Sequence, residues 1–336
     1  MALRIAINGF GRIGRQLTRL LIQFPAENVK LAAVNTLETA VTAAHLLKYD
    51  SCQGIFPAEI SVHDDILCIN QHEISFFHEP DPALLPWQTG NIDLIIECSG
   101  HFTEADKAAA HLTAGAGRVL ITAAASKADA IICLGVNEDL YRPAQHKIIS
   151  SSSCTTNCIA PALGVINRLW GVERALATFI HSTTSAQHLL DHVDSDPRRA
   201  RAAGLNLIPC PTSASHQVPA VIPALRGRFD ALAIRVPTPH IHLADLTVCL
   251  RHIPDRADFT AALAEEAANT LQGIMKISHE PLVSIDLKGS KHSCVIDAEH
   301  IHFQGNMVKL LIWHANEFSY CCRIKDIIEL IARQQY

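Results

Sequence analysis

RIAINGFGRIG, residues 4–14, is the stretch that decides how the first half of the chain folds. An apolar strand pattern over Arg4–Asn8 runs into Gly9-Phe10-Gly11-Arg12-Ile13-Gly14, a G-x-G-x-x-G pattern, which opens an amphipathic run from Arg12 to Gln23. Alone, that glycine spacing is a weak signal. Here it follows a strand, starts a helix and leads to a second apolar strand, Val29–Asn35, which is the context that gives it meaning. Glycines let the backbone approach a pyrophosphate, and the helix N-terminus offers N–H donors and the positive end of its dipole. The pattern therefore predicts a dinucleotide-binding strand–helix–strand unit, against the alternative of a tight turn with no ligand. An acid at the end of the second strand would hydrogen-bond the adenosine ribose, but the strand ends in Asn35-Thr36-Leu37-Glu38. Thr36 carries no charge, which also removes repulsion against a 2′-phosphate, so NAD and NADP both stay open.

Outward from this unit the alternation continues. Val41–Leu47 has a helical pattern, Ile92–Cys98 reads as a buried strand, Glu104–Ala114 as a helix, and Arg118–Thr122 and Ala130–Gly135 as further strands. Continuous apolar strands alternating with helices indicate a parallel sheet covered on both faces. Ile55–Phe77 alternates more loosely and reads as antiparallel hairpins inserted in that sheet. Beyond Ser150 the texture changes. The pattern predicts a helix from Cys154 to about Trp170, a strand over Ala175–His181 and a long polar, arginine-bearing loop over Ser182–Asn206. Strands follow at Leu232–Val236, His242–Leu250, Leu282–Asp286 and Val308–His314, and a helix at Cys322–Arg333 closes the chain. Long strands with few helices point to a second domain built on a mixed, largely antiparallel sheet.

A chain of 336 residues is too long for one typical core, which agrees with two domains. A hydrophobic fraction of 49% with 18% charged residues describes a well-packed globular protein rather than a disordered one. The formal charge of −5, with no Lys/Arg stripe, gives no footprint for nucleic acid. The start, MALRIAINGF, has no basic n-region, and no segment reaches the length of a membrane span, so a cytoplasmic protein is expected. Eleven cysteines, an odd number without repeated spacing, do not look like a secreted disulfide framework.

One thiol stands apart. SSSCTTNC, residues 151–158, surrounds Cys154 with hydroxyls at the start of a predicted helix. A helix N-terminus and a histidine are what activate a cysteine nucleophile. Two other readings compete: Cys154 and Cys158 as a metal or redox pair, or a capped helix with a buried thiol. The pair lacks two further metal ligands, and its spacing is wrong for Cys-x-x-Cys redox chemistry. Spacing alone does not say which of 19 histidines would serve Cys154.

INGFGRIGR, HLLKYDS, SCTTNC, RVPTP and the Asn-Glu of HANEFSY, in this order, resemble the glyceraldehyde-3-phosphate dehydrogenase family from about Leu3 to Ile331. The resemblance implies an α/β Rossmann domain over 1–150 that binds NAD or NADP, and an α+β catalytic domain over 151–320. The C-terminal helix, about 321–336, is expected to pack back on the first domain. It further implies a homotetramer, with the Ser182–Asn206 loop bordering a neighbour's cofactor site. Cys154 would be the nucleophile and His181, in TFIHS, its base. Ser153, Thr155 and Thr212, with Ser213 beside them, would receive inorganic phosphate. Thr184 and Arg235 would hold the phosphate of the aldehyde substrate, with Arg198 or Arg201 nearby. On the cofactor side the resemblance implies Gly9, Gly11, Arg12, Ile13, Gly14, Asn35, Thr36, Ser99 and Thr122, with Asn316 and Tyr320 at the nicotinamide. No metal is expected.

The chain departs from the family pattern at several points. Ser151-Ser152 replace Asn-Ala before the nucleophile, Pro80 stands for an arginine beside the adenine, and Thr183 and Ala186 replace Tyr and Asp after the histidine. Ser213 and Ser319 replace glycines. These changes leave the cofactor choice, phosphate affinity and exact aldehyde open. PLVSIDL and HEPDPALLPW have some flavour of the related erythrose-4-phosphate dehydrogenase, while Thr184 favours the triose. A catalytically reduced homologue that serves as a binding protein is the alternative of a different class. His240-Ile241-His242 is an H-x-H fragment for which spacing supplies no third metal ligand, so a sheet or interface role is expected.

Overall fold

The computed structural model describes residues 2–335; Met1 and Tyr336, and with them the outer ends of the expected ranges 1–150 and 321–336, lie outside the described residues. The chain forms two compact units. The first holds the chain up to Ile132, Glu138–Ser152 and the C-terminal segment from Cys321; the second holds Cys133–Asn137 and Ser153–Tyr320.

In the first unit Leu3–Asn8 is the middle of a nine-stranded sheet. It pairs in parallel with Val29–Asn35 on one side and Leu94–Glu97 on the other, and Leu3, Ile5 and Ile7 are fully buried. Arg118–Ile121, Ile148–Ser150 and Ala130–Ile131 extend the sheet in parallel beyond Leu94–Glu97. Toward the other edge, His72–Phe77 lies parallel to Val29–Asn35, and Ile66–Ile69 and Ile60–His63 follow antiparallel. The hairpins predicted within Ile55–Phe77 therefore extend one edge of the sheet and are not inserted in it. Their partial burial is what an edge with one solvated face requires.

Two expectations in this unit are corrected. The Glu104–Ala114 helix is two short helices, Ala105–Ala108 and Ala110–Thr113, meeting at Ala109. The strand expected over Ala130–Gly135 stops at Ile131, because the Asn137 side chain accepts the Cys133 N–H at 2.8 Å and turns the chain.

The glycine turn is packed, not merely loose. Gly9 has φ +92°, and a Cβ there would lie 2.4 Å from the Ser99 backbone. A Cβ on Gly14 would meet the Gly9 carbonyl oxygen at 2.3 Å, so the helix Arg12–Gln23 can seat on the strand only without one. Gly11 differs: no atom lies within 4 Å of a Cβ built on it. The final helix, Phe318–Gln335, starts earlier than expected, and its Cys321 thiol donates to the Ile13 carbonyl at 3.6 Å.

In the second unit Val172–His181 lies between Phe229–Arg235, parallel to it, and His242–Leu250, antiparallel to it. Ile208–Pro211 borders Phe229–Arg235, and Met307–His314, Cys294–Asp297 and Met275–Ser278 continue beyond His242–Leu250. The sheet is mixed and largely antiparallel. Leu282–Asp286 is not a strand: the Asp286 carboxylate accepts the Val283 N–H at 2.9 Å, and Ser284–Leu287 winds into a 3-10 turn. Helices Ala214–Val221 and Arg256–Ala268 were not legible in the sequence pattern. Among the described residues, no helix is long and apolar enough to cross a membrane.

The contrast between the glycines is testable. Gly9→Ala should cost at least ~2 kcal/mol through backbone overlap and a left-handed φ, whereas Gly11→Ala should cost under ~1 kcal/mol. Comparison of urea unfolding curves checks this; equal losses at both positions would contradict the packing described.

Candidate active site

The helix Cys154–Trp170 begins with Ser153, whose backbone is extended and whose Oγ accepts the Thr156 N–H at 3.2 Å. The same Oγ lies 3.0 Å from Thr155 Oγ1 and 2.8 Å from Thr156 Oγ1. Just before it, buried Ser152 takes φ +60°, a left-handed conformation that costs a non-glycine residue ~1–2 kcal/mol. Its N–H donates to Ser150 Oγ at 3.0 Å, while the Ser151 N–H and hydroxyl both donate to the Ile121 carbonyl. The two serines that depart from the usual pattern thus form the turn that precedes the helix. Cys154 is left half-buried as its first residue, where backbone donors favour an anion.

His181 ends the strand Val172–His181 and is buried. The Cys154 thiol, a ring nitrogen of His181 and a ring nitrogen of His242 all lie within 4.8 Å of one another. His181 Nδ1 sits 2.7 Å from the Ser182 carbonyl, which can only accept; a proton on Nδ1 leaves Nε2 as the ring's acceptor. Arg235 is paired with His181 in the parallel ladder. Its Nη1 lies 3.1 Å from that Nε2 and 3.2 Å from the Ser182 carbonyl, and it also touches Nδ1.

His242 is the residue that sequence spacing missed. Its ring is fully buried with its centroid 3.5 Å from that of His181. His240, the other half of the H-x-H fragment, stays outside the cluster. Neither of its ring nitrogens has a hydrogen-bond partner, and burial, helped by Lys288, lowers its basicity. Between them Ile241 takes φ +70°, rare for a β-branched residue, and its N–H is held by Asn316 Oδ1 at 2.8 Å. Asn316 is therefore anchored at one end of its amide.

The hydroxyls form a second group. Thr155 Oγ1 reaches Thr212 Oγ1 at 3.3 Å, and Thr212 Oγ1 accepts the Ala214 N–H at 3.3 Å. Ser213 occupies the cap position of the helix Ala214–Val221. Ser153, Thr155 and Thr212 are thus one chain of hydroxyls beside Cys154. Thr184 joins neither group by a hydrogen bond; its N–H donates to Gln187 Oε1 at 3.0 Å. Arg201 pairs with Asp191 at 2.9 Å within the Ser182–Asn206 loop. Cys158 is fully buried and its thiol meets the Ile312 carbonyl at 3.8 Å. Burial, with the Cys294 and Cys154 thiols nearby, pushes Cys158 well above the ordinary thiol range, and burial pushes Cys294 up to about 12.

In the first unit a cleft of about 440 Å³ opens at the glycine turn, lined by Gly9 and Gly11, by Asn35 and Thr36, and by Ser99. Arg12 and Ile13 begin the helix behind Gly11, and Gly14 is packed against Gly9. The floor is a buried polar network that sequence reading also missed. The Glu97 carboxylate accepts Asn8 Nδ2 at 2.6 Å and the Ser99 N–H at 2.7 Å, with His111 Nε2 at 3.1 Å. The Trp87 indole donates to His111 Nδ1 at 3.0 Å, so His111 must donate to Glu97 through Nε2. Asn35 in turn donates to Asn8 Oδ1 at 2.7 Å. Thr122 donates through its hydroxyl to the Glu97 carbonyl at 2.8 Å. Tyr320 is buried in the second unit.

Two family models match the chain. The NAD binding domain of glyceraldehyde 3-phosphate dehydrogenase matches residues 3–105, and the C-terminal domain of the same enzyme matches residues 153–316. The chain belongs to the glyceraldehyde-3-phosphate dehydrogenase family. It is 44% identical to glyceraldehyde-3-phosphate dehydrogenase 1 of Bacillus subtilis over 335 residues, 99% of each chain. It is 43% identical to the enzyme of Geobacillus stearothermophilus over 333 residues, again 99% of each chain. A second Bacillus subtilis relative, glyceraldehyde-3-phosphate dehydrogenase 2, is 38% identical over 333 residues. The stretch matching the family's NAD binding domain carries the glycine turn and Asn8, Asn35, Trp87, Glu97 and Ser99 of the buried network, while His111 and Thr122 lie just beyond it. The stretch matching its C-terminal domain carries Cys154, His181, Arg235, His242 and Asn316.

The two thiols of SSSCTTNC should part company chemically. Iodoacetamide at neutral pH should alkylate Cys154 while Cys158 and Cys294, held protonated by burial, stay unmodified until the protein unfolds. Peptide mass mapping across a urea series reads this directly; early labelling of Cys158 would contradict its assignment to packing.

Proposed function

We propose that the protein oxidises glyceraldehyde 3-phosphate with NAD and inorganic phosphate to 1,3-bisphosphoglycerate, through a thioester on Cys154. The observation that carries this reading is the thiol at a capped helix start, beside His181 on one side and the Ser153–Thr155–Thr212 hydroxyls on the other.

The cofactor site fits a dinucleotide. The space left open at Gly11, at a helix N-terminus, suits a pyrophosphate. Among the described residues no lysine or arginine lines the cleft, and Glu79 does, so a 2′-phosphate would find no cation among them; this favours NAD over NADP. When bound, the nicotinamide supplies the hydride acceptor. Asn316, anchored through Oδ1, keeps its Nδ2 donors for the carboxamide, and Tyr320 would lie beside the ring.

The chain's own residues supply the rest. Cys154 Sγ attacks the aldehyde carbon to form a thiohemiacetal. His181 Nε2 takes the hydroxyl proton as hydride leaves, which produces the thioester. Arg235 Nη1 lies against both His181 ring nitrogens here, so the substrate's phosphate, by drawing the guanidinium to itself with Thr184, also frees the base. Inorganic phosphate, held by Ser153, Thr155, Thr212 and Ser213, then attacks the thioester. The acyl phosphate departs and the thiolate is restored. We also infer a homotetramer: Leu189, Leu190 and Val193 on the Ser182–Asn206 loop are 92, 77 and 90% exposed in the single chain. Light scattering should return four chains per particle; a monomer at micromolar concentration would overturn this.

Steady-state assays with triose and tetrose phosphates, with each cofactor, with and without phosphate, test the reaction. Expected is phosphate-dependent turnover that prefers the triose and NAD. Phosphate-independent turnover that is faster with the tetrose would overturn it. Cys154→Ser should lower kcat by roughly 10³-fold or more, and His181→Asn by roughly 10²–10⁴-fold, with cofactor binding retained.

A further inference from the structure

We propose that Cys154, His181 and His242 form a site for a soft divalent metal ion, zinc above all, whose occupation closes the nucleophile. One thiol and two imidazoles within 4.8 Å of one another are the donor set that zinc prefers over magnesium or calcium. Bond lengths of ~2.3 Å to sulfur and ~2.0–2.1 Å to nitrogen put tetrahedral donors ~3.3–3.6 Å apart, so the side chains must close by up to about 1.5 Å. Three protein ligands leave a fourth position for water, as in zinc sites that exchange ligands.

The donors stand on rigid elements. Cys154 is the first residue of a helix, His181 the last of a strand and His242 the first of the neighbouring strand. The antiparallel register pairs Ile180 with Leu243, so His181 and His242 meet at the end of the ladder. The left-handed Ile241, pinned through its N–H by Asn316, sets the direction in which the chain enters that strand. Such backbone strain persists only where surrounding structure holds it, and here it lies beside a buried histidine with no place in the oxidation chemistry. The alternative is that His242 merely fills space between His181 and His314, whose ring centroid is 5.8 Å from its own.

Metal binding releases the thiol proton to solvent as the sulfur–metal bond forms, with no change of oxidation state. The Arg235 guanidinium opposes it, because Nη1 shares His181 Nε2 and must move aside. The site is therefore weaker than a closed structural zinc site and suits reversible control. The inhibition rests on Cys154 being the nucleophile, whereas the binding does not.

Chelator-treated full-length protein titrated with Co²⁺ or Zn²⁺ tests both. Expected are one ion per chain, a thiolate-to-cobalt charge-transfer band that Cys154→Ser removes, and aldehyde oxidation lost with Zn²⁺ and restored by EDTA. His242→Ser should weaken binding roughly tenfold or more, each variant being read against its own metal-free rate, while His240→Ser leaves binding within about twofold. His242→Gln, closer in bulk, serves if the serine variant loses its circular dichroism spectrum. Absence of the charge-transfer band, or binding by both His242 variants as tight as the parent, overturns the site. A band without inhibition overturns the closure and argues against Cys154 as nucleophile; no band with an inactive Cys154→Ser leaves the proposed reaction standing and removes the metal.

Discussion

The register of the strand Val172–His181 against its two neighbours is the constraint on which the second unit's chemistry depends. The parallel ladder sets His181 opposite Arg235, and the antiparallel ladder brings His242 beside it. A further ladder step pairs His242 with His314. Side chains alternate faces along a strand, so a slip of one residue would turn every one of these groups to the other face. The alternating burial of His242–Leu250 ties the register to the core: Ala244, Leu246, Val248 and Leu250 are all buried on one face. The geometry of this candidate site is thus held by ordinary hydrophobic packing several residues away from it.

A different device stabilises the first unit's cleft. A carboxylate as buried as Glu97 must be surrounded by donors, and Asn8, Ser99 and His111 provide them. Asn8 and Ser99 border the glycine turn itself. Asn8 precedes Gly9, and the Gly9 N–H donates to the Asn35 carbonyl at 2.8 Å. The network therefore ties the first, second and fourth segments of the parallel sheet into one floor. Truncation of any one member would leave buried polar atoms without partners, which is costlier than the loss of a single contact.

Much of this was legible from one-dimensional pattern. The helices Arg12–Gln23 and Cys154–Trp170 match their expected ranges, because each opens on chemistry that starts helices: a glycine turn after a strand, or a hydroxyl cap. The strands Val29–Asn35 and His242–Leu250 match for a similar reason, being apolar runs bounded by breakers. Leu282–Asp286 failed because its alternation looked like a strand while one aspartate was already committed to a local turn. Arg256–Ala268 shows no clear helical pattern because charged residues interrupt its apolar face, and only Phe259 and Leu263 are buried. Ser151 and Ser152 looked like unexplained substitutions; they are a buried turn whose hydrogen bonds reach Ile121, thirty positions earlier in the chain.

By itself the sequence determined the family, the two fold classes, the glycine turn and the thiol at a helix start. The glycine turn and the thiol are local, and the family and fold classes follow from the order of such local patterns along the chain, where spacing and helix or strand period carry the information. Tertiary structure alone decided that His242 joins His181 and Cys154, that Arg235 lies against the His181 ring, and that Glu97 anchors the cleft floor. Those groups are brought together by ladder register and by side chains crossing between strands. The free energy of such contacts is set by burial at long sequence separation, to which no local pattern responds.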